Sequence, residues 1–347
     1  MTHIPDEWLS MTEPGLSADS LFFIYICEND MTTPISHHPV MLTETIGSLN
    51  IDPKGIYIDA TFGRGGHSSA ILEKLNDDGR LICFDKDPDA IAYGRELFEN
   101  DPRVSFFQTC YSRIDKIAKQ HGLLKKVNGI LIDCGVSSPQ LDDASRGFSF
   151  MRDGPLDMRM DPTQGLSASQ WLNQATHQDI VRVLKRFGEE PFAYKIACRI
   201  FDVRKETPIT TTKMLADLIK NCVPVAHQGK THPATKTFQA IRIYINQEMD
   251  AIDTILLAAP GVLAPGGRLV MLSFHSLEDR KVKQFFRSQS RVQLPKGVSI
   301  PEKDLIAPLD WIVKRQRPSE EEIERNPRAR SATMRVAQAK LNKEVDL

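Results

Sequence analysis

A glycine-rich turn at residues 61–66 is the first feature of this chain that could do chemistry. It follows a β-rich run that ends at Asp59, and a helical pattern starts after His67. Glycine has no Cβ, so its backbone can adopt positive φ and lets a ligand approach closely. The helix start adds unpaired N–H groups and the positive end of a dipole. This order of strand, loop and helix predicts a cofactor site.

The spacing of the glycines limits which cofactor this loop suits. A nicotinamide-type fingerprint needs G-x-G-x-x-G/A. Gly63 and Gly65 fit that pattern, but Ser68 stands at its last position. The loop also lacks the Gly-Lys-Ser/Thr triplet of a P-loop. It therefore suits a ligand without a pyrophosphate.

Asp85 ends the second β-rich run, where an acid can accept hydrogen bonds from both ribose hydroxyls of a nucleoside cofactor. The alternative is that it caps the helix that begins near Pro88, a role for which Asp87 is the better candidate. Given the glycine loop before it, Asp85 is predicted to bind the ribose. An adenosine-bearing ligand without phosphates points to S-adenosylmethionine.

Asp133 ends a fourth β-rich run, and a loop of small and polar residues, 134–140, follows it. Ligands of open α/β sheets bind outside the carboxyl ends of the strands, so Asp133 should face the same crevice as Asp59 and Asp85. Its carboxylate can accept hydrogen bonds from an amino group, and the small residues let a flat base come close. A plain loop in which Asp133 caps a turn explains these residues equally well, so both interpretations stay open.

Alternating elements must position these groups. The β-rich runs are 56–60, 80–85, 104–108 and 129–133, and helical patterns lie between them at 68–75, 88–98 and 111–121. A loop and four helical segments then interrupt the alternation of strands and helices. It resumes with a helix over 237–257, followed by a strand at 268–274 and closing strands at 311–316 and 333–337. This predicts a doubly wound, Rossmann-like α/β fold formed by 35–140 and 237–340, with an all-helical insert at 141–236.

Bulk properties restrict the remaining functions. The formal net charge of the 347 residues is −1, so any nucleic-acid surface must be local. The six cysteines form no Cys-x-x-Cys pair and are typical of reduced thiols in a cytoplasmic protein, and no metal site is predicted. No apolar run approaches the roughly 20 residues of a membrane span. The first basic residue is Lys54, which argues against a targeting leader, and residues 1–34 are expected to be a poorly ordered extension.

Several longer strings are more specific than the glycine loop. They are Thr61–Ser68, Gly135–Asp143, Arg146–Phe150, Gly154–Met160, His232–Ala240, Ser273–Arg280 and Asn326–Ser331. Together they resemble the ribosomal RNA small subunit methyltransferase H family, bacterial enzymes that methylate a cytosine N4 in 16S rRNA. The resemblance covers about residues 35 to 340. The chain departs from the family in its N-terminal extension and in Cys134, where a leucine-like residue is usual.

The resemblance implies a set of site residues and a substrate. The cofactor S-adenosylmethionine would be bound by Gly65, Gly66, His67, Asp85, Tyr111, Asp133 and Gln140. The helical insert would recognise RNA and close over a cytosine in the decoding region of 16S rRNA, on the small ribosomal subunit in the cytoplasm. A homodimer is left open. The chemistry of the residues makes Asp133 the expected electrostatic catalyst, because a carboxylate can accept hydrogen bonds from the N–H groups of the reacting amine.

The loop after the fourth strand adds candidate RNA contacts. Arg146, Arg152 and Arg159 lie there with Phe148 and Phe150 between them. Arginine beside aromatic residues suits single-stranded RNA, although for the two phenylalanines we favour packed anchors that fix the loop. Replacing Arg152 or Arg159 by alanine is predicted to weaken RNA binding more than cofactor binding.

The residues alone leave rival functions open. The fourth-strand loop would accept any planar amino group, so a methyltransferase that acts on DNA or on a protein amide is one rival. A nicotinamide oxidoreductase is another, disfavoured by Ser68, and a non-enzymatic RNA-binding scaffold is a third. His275 ends the fifth β-rich run near the crevice, and we favour a structural role for it.

Overall fold

The computed structural model describes residues 39–224, 232–291 and 307–341. Its strands are β1 (Ile56–Asp59), β2 (Arg80–Asp85), β3 (Val104–Gln108), β4 (Val127–Asp133), β5 (Leu263–Ser273), β6 (Leu309–Gln316) and β7 (Thr333–Ala339). They form one sheet in the order β3-β2-β1-β4-β5-β7-β6. The first five strands pair in parallel, and β7 runs antiparallel to both β5 and β6.

The helices of the described residues lie between and around these strands. They are α1 (Leu42–Leu49), α2 (Gly66–Leu72), α3 (Pro88–Leu97), α4 (Ile114–Gln120), α5 (Ser138–Asp142), α6 (Ala168–Gln174), α7 (His177–Gly188), α8 (Ala193–Glu206), α9 (Thr212–Cys222), α10 (Thr235–Asn246), α11 (Glu248–Val262), α12 (Ser276–Gln289) and α13 (Glu320–Arg325). Among the described helices, none has the length and apolar character that crossing a membrane would require.

The central strands of the sheet are buried on both faces, as a parallel sheet requires. Successive side chains of a strand point to opposite faces, and those of β4 enter different cores. Ile130 and Ile132 belong to a core that includes residues of α11, whereas Leu131 belongs to a core that includes residues of α2. Helices therefore cover both faces, and the predicted doubly wound α/β fold is confirmed.

The prediction of one helix over 237–257 is wrong, because the structure has two. Gln247 lies between α10 and α11 with φ of +52°, a left-handed conformation that ends the first helix. Apolar residues continue at helical spacing across this break, but they face different cores: Phe238 of α10 packs with the helical segments, and Ile252 of α11 packs against the sheet. Periodicity alone cannot reveal such a change of partner.

The helical segments have a core of their own. It includes Trp171 of α6, Leu184 of α7 and Ile196 of α8, and also Phe148 from the loop before them. The burial of Phe148 agrees with the favoured anchor role. The boundaries proposed for the insert stay a prediction, and the expected N-terminal extension lies outside the described residues.

Candidate active site

The carboxyl ends of β1, β2 and β4 meet at one edge of the sheet, and each strand ends in an aspartate. Asp59 pairs in register with Cys83 of β2 and with Leu131 of β4. Asp85 and Asp133 each follow their paired residue by two positions. The three carboxyl groups therefore line the crevice that the sequence predicted.

The glycine loop enters this crevice from the end of β1. Gly63 and Gly65 both have positive φ, +57° and +74°, which disfavours any other residue. A Cβ at Gly65 would lie 2.7 Å from the Phe62 ring, and one at Gly66 would lie 2.2 Å from Pro39. The loop thus needs glycine for its own packing, in addition to any ligand.

Asp85 joins the glycine loop to the start of α3. Its Oδ2 accepts a hydrogen bond from the Gly63 N–H at 2.8 Å, and its Oδ1 accepts one from the Asp87 N–H at 2.9 Å. Burial raises the pKa of Asp85 to about 6. Each carboxylate oxygen keeps a second lone pair, so the group can still accept ribose hydroxyls. Asp87, as expected, caps α3 by accepting from the Asp89 N–H.

His67 is buried and fixed in one tautomer. Its Nε2 lies 3.0 Å from the Val40 carbonyl, which can only accept, so Nε2 carries the proton. Burial lowers the pKa of His67 to about 4, so the ring is neutral at pH 7. The unprotonated Nδ1 lies 3.9 Å from Oδ2 of Asp133. His67 therefore borders the fourth-strand loop, and its contact with a cofactor stays a prediction.

Asp133 has the least satisfied carboxyl group of the three. Its backbone N–H donates to the Thr61 hydroxyl at 2.7 Å, which ties β4 to the glycine loop. Its Oδ1 is buried and has no hydrogen-bond partner. Burial is the main reason that the pKa of Asp133 lies well above its ordinary value, and the negative charges of Asp59 and Glu278 raise it further. This carboxyl group is available to a ligand with N–H groups.

Asp59 was not among the predicted site residues, although it completes the row of acids. It is 1% exposed, and its Oδ2 accepts a hydrogen bond from the Ser68 hydroxyl at 2.7 Å. Burial raises the pKa of Asp59 to about 6. Its position at a strand end, shared with Asp85 and Asp133, was the available signal.

Gln140 and Tyr111, both predicted to contact the cofactor, have structural partners. Gln140 is buried, accepts from the Ser137 N–H at 3.0 Å and donates to Asp87 Oδ2 at 2.7 Å. It thereby fixes the fourth-strand loop to the start of α3. Tyr111 follows β3, is partly buried and packs against the core beside the sheet. Their roles toward a cofactor stay predictions.

Arg146, a predicted RNA contact, is held inside the loop. Its Nη1 donates to Asp87 at 2.9 Å and to Asp89 at 3.3 Å, and its Nη2 donates to the carbonyls of Arg159 and Met160. Only 13% of its side chain is exposed. These bonds identify a loop-fixing role for Arg146.

The other two predicted RNA contacts differ from each other. Arg159 binds the Asp157 carboxylate through two hydrogen bonds, at 2.8 and 2.6 Å, and is partly buried. Arg152 is exposed, and its guanidinium donates to the Asp142 carbonyl at 3.4 Å, a long contact. Arg152 is therefore the most accessible of the three predicted arginines.

A second polar cluster lies where β5 ends and α11 begins. Ligand atoms of Glu248, His275 and Glu278 lie within 4.8 Å of one another, a spacing that could hold a metal ion. Arg242, however, binds both oxygens of Glu248 at 2.9 and 2.8 Å. His275 Nδ1 accepts the Glu278 N–H, so the ring proton lies on Nε2, which offers no lone pair to a metal. We therefore interpret the cluster as a hydrogen-bonding one.

The crevice as a whole suits a cationic ligand with a nucleoside part. Asp59 and Glu278 each raise the pKa of Asp133, which means that negative charge at this edge is under-compensated. A positively charged sulfonium would relieve that repulsion, and Asp85 offers acceptors for ribose hydroxyls. The residues present thus fit S-adenosylmethionine.

Comparison with known proteins gives an independent result. Residues 34–340 match the model of the MraW methylase family. The Ribosomal RNA small subunit methyltransferase H of Chromohalobacter salexigens is 51% identical over 311 residues, which cover 89% of this chain and 93% of that protein.

Solved structures are much more distant. A methyltransferase homolog protein from Pyrococcus horikoshii is 12% identical with a TM-score of 0.39, over 86% of this chain and 66% of that one. A SAM dependent methyltransferase from Aquifex aeolicus is 7% identical with a TM-score of 0.38, over 86% of this chain and 90% of that one. These likenesses are too weak to support an argument about function.

Proposed function

We propose that this chain, which belongs to the MraW methylase family, methylates the exocyclic N4 of a cytosine in the decoding region of 16S rRNA. S-adenosylmethionine is the methyl donor. The name of the Chromohalobacter relative supports a substrate in the small ribosomal subunit. The choice of cytosine N4 rests on the resemblance of the motifs and on the chemistry of the crevice.

The observation that carries the proposal is the free carboxylate oxygen of Asp133. This oxygen is buried at the crevice edge and accepts no hydrogen bond. An exocyclic amine supplies the N–H group that such an acceptor lacks, so the loop after β4 is complementary to an amino group beside the methyl donor. A carbon nucleophile would offer no such donor to an acceptor at this place.

Asp133 would act on the amine as it reacts. Bound S-adenosylmethionine supplies an electrophilic methyl group on a positively charged sulfur. The cytosine N4 lone pair is delocalised into the ring, so the amine is a poor nucleophile. Catalysis therefore depends on orienting the amine and on accepting hydrogen bonds from its N–H groups. The raised pKa of Asp133 makes its carboxylate a better proton acceptor once ionised. The amine becomes more acidic as it gains the methyl group, and Asp133 then takes its proton.

The remaining residues would hold the donor. The Asp85 carboxylate accepts the ribose hydroxyls, and the backbone at Gly65 and Gly66 allows close approach. His67, neutral and fixed by Val40, borders the same pocket. Tyr111 and Gln140 line it from the elements that follow β3 and β4.

The substrate must present its N4 free of base pairing. N4 lies on the Watson–Crick edge, so the cytosine has to be unpaired or flipped out of a stack. The helical segment at 141–236 would cover the base, and Arg152 offers an exposed cation for the RNA backbone. The small ribosomal subunit as partner and the cytoplasm as location belong to the same proposal, and a homodimer is left open.

Mapping the transferred methyl group tests the proposal. The protein is incubated with labelled S-adenosylmethionine and small subunits that lack the modification, and the labelled nucleotide is identified. One labelled cytosine carrying the methyl group on N4 is expected. Label on another base, on duplex DNA or on protein in parallel reactions would overturn it.

Two further measurements separate the rival functions. NADH should cause no saturable change in fluorescence, whereas binding would support an oxidoreductase. In Asp133→Ala, methyl transfer should collapse while the circular dichroism spectrum shows that the fold remains. RNA binding by a wild-type protein that transfers no methyl group would favour a scaffold.

A further inference from the structure

Buried polar atoms without a hydrogen-bond partner concentrate at the ends of β4 and β5. In the ranges that the structure describes, five side-chain atoms are of this kind, and four of them belong to Asp133, Ser273, His275 and Glu278. The fifth belongs to Thr237. Buried polar groups in proteins are nearly always paired. Such a concentration beside the reacting carboxylate points to a ligand that completes it.

The ring of His275 offers a donor to that ligand. His275 caps α12, and its Nδ1 accepts the Glu278 N–H at 3.4 Å. The ring proton therefore lies on Nε2. Nε2 is a buried donor that has no partner among the other elements of the fold.

The carboxylate of Glu278 offers an acceptor next to this donor. Its Oε2 accepts the N–H groups of Phe274 at 2.7 Å and His275 at 3.3 Å, so this oxygen is used within the fold. Its Oε1 lies 3.1 Å from His275 Nε2, and neither atom has a partner outside this pair. A donor and an acceptor thus lie side by side.

Cytosine presents the complementary pair. Its N3 accepts and its adjacent N4 amino group donates, whereas uracil presents a donor at N3 and an acceptor at O4. We propose that His275 and Glu278 read the Watson–Crick edge of the target base. His275 Nε2–H donates to cytosine N3, Glu278 Oε1 accepts one N4–H, and Asp133 accepts the other. This inference rests on the proposed function and adds its source of base specificity.

The surroundings place the pair in the right position. Asp133 of β4 is in register with Leu272 of β5, and a Cβ at Gly135 would lie 3.8 Å from the Phe274 ring, so the two strand-end loops are in contact. Side-chain exposure falls from 26% at Asp133 to 10% at His275 and 0% at Glu278. This gradient fits a flipped base that enters with its polar edge first, with Asp133 beside the base and Glu278 at the deepest point.

Two substitutions test the pair on the full-length protein. In Glu278→Gln the Phe274 N–H still requires an oxygen, so the amide NH2 takes the place of Oε1 and presents a donor that suits uracil O4. In His275→Asn the helix cap is kept, because asparagine is a good N-cap, while the Nε2 donor is lost. Lys283→Ala, at an exposed position of the same helix, is the matched control.

The probes are small subunits reconstituted with 16S rRNA transcripts that carry cytosine or uracil at the mapped position. The wild type and Lys283→Ala should bind the cytosine form more tightly, by about tenfold or more. Glu278→Gln should lose this preference, and His275→Asn should weaken it. Affinity for S-adenosylmethionine, measured by calorimetry, should stay unchanged in both.

The outcomes separate this inference from the proposed function. If the wild type methylates the cytosine but both variants keep its preference for cytosine over uracil, the pair does not read the base. A parallel loss of donor affinity and melting temperature in both variants would likewise assign the pair a purely structural role. If the wild type methylates no cytosine, the proposed function itself fails.

Discussion

The carboxyl groups at the strand ends and the arginines of the next loop differ in how completely the protein satisfies them. Asp133 keeps a buried oxygen without a partner, whereas Arg146 donates to two carboxylates and two carbonyls. Arg159 is likewise bound by Asp157. A buried polar atom without a partner costs free energy unless a ligand completes it.

This difference separates residues that await a ligand from residues that hold the fold. Residues of both groups lie close to the crevice-forming strand ends in the sequence, so sequence position cannot distinguish them. The hydrogen-bond partners of each residue do distinguish the two groups. We therefore propose catalysis for Asp133, loop stability for Arg146 and RNA contact for Arg152, and each proposal can be tested separately.

Asp133→Asn should have the largest effect, because it removes the charge while keeping the shape. We expect single-turnover methyl transfer to fall by about 10²- to 10³-fold, the size seen when one aligned electrostatic group is removed. The melting temperature should not fall. A rate within a few fold of the wild type would show that the free oxygen of Asp133 has no catalytic use.

Arg146→Ala should act on stability. It leaves the buried Asp87 carboxylate without its cation, and we expect the free energy of unfolding to fall by about 3 kcal/mol. Urea denaturation measures this change, with the exposed Arg152→Ala as the control. If Arg146→Ala weakened RNA binding with no loss of stability, its side chain would belong with the ligand contacts.

The pH dependence should report the raised pKa of Asp133. The protonated carboxyl group cannot accept the amine N–H, so the single-turnover rate should rise with pH, by about tenfold per unit, until the pH passes the pKa. Burial and like charges raise that pKa, so the rise should extend above the ordinary range of an aspartate. In Asp133→Asn the rise should be absent. A flat wild-type profile would contradict this role.

Arg152→Ala should have the smallest effect. Its guanidinium is exposed and weakly bound, so its loss should weaken subunit binding by about two- to fivefold, as for a single screened charge. The slope of log affinity against log salt should fall by about 0.7. Donor affinity should stay constant. Arg159→Ala was predicted to behave in the same way, but loss of its contact with Asp157 should also lower stability.

Much of the fold could be predicted because it follows from local patterns. β-rich runs separated by helical patterns imply a parallel sheet, and parallel strands bring their carboxyl ends to one edge. The placement of Asp59, Asp85 and Asp133 along one crevice therefore followed from the residues that precede them. The helix break at Gln247 could not be predicted, because the apolar spacing continues through it while the packing partner changes.

The sequence by itself determined the α/β alternation, the glycine loop and the aspartates at the strand ends, since each depends on neighbours only a few positions away. Only the tertiary structure decided which polar groups remain free. Arg146 meets Asp87 across 59 positions of the chain, and Gln140 meets the same carboxylate across 53. Whether a charged group is paired depends on residues brought together by folding, so its availability to a ligand is fixed only there.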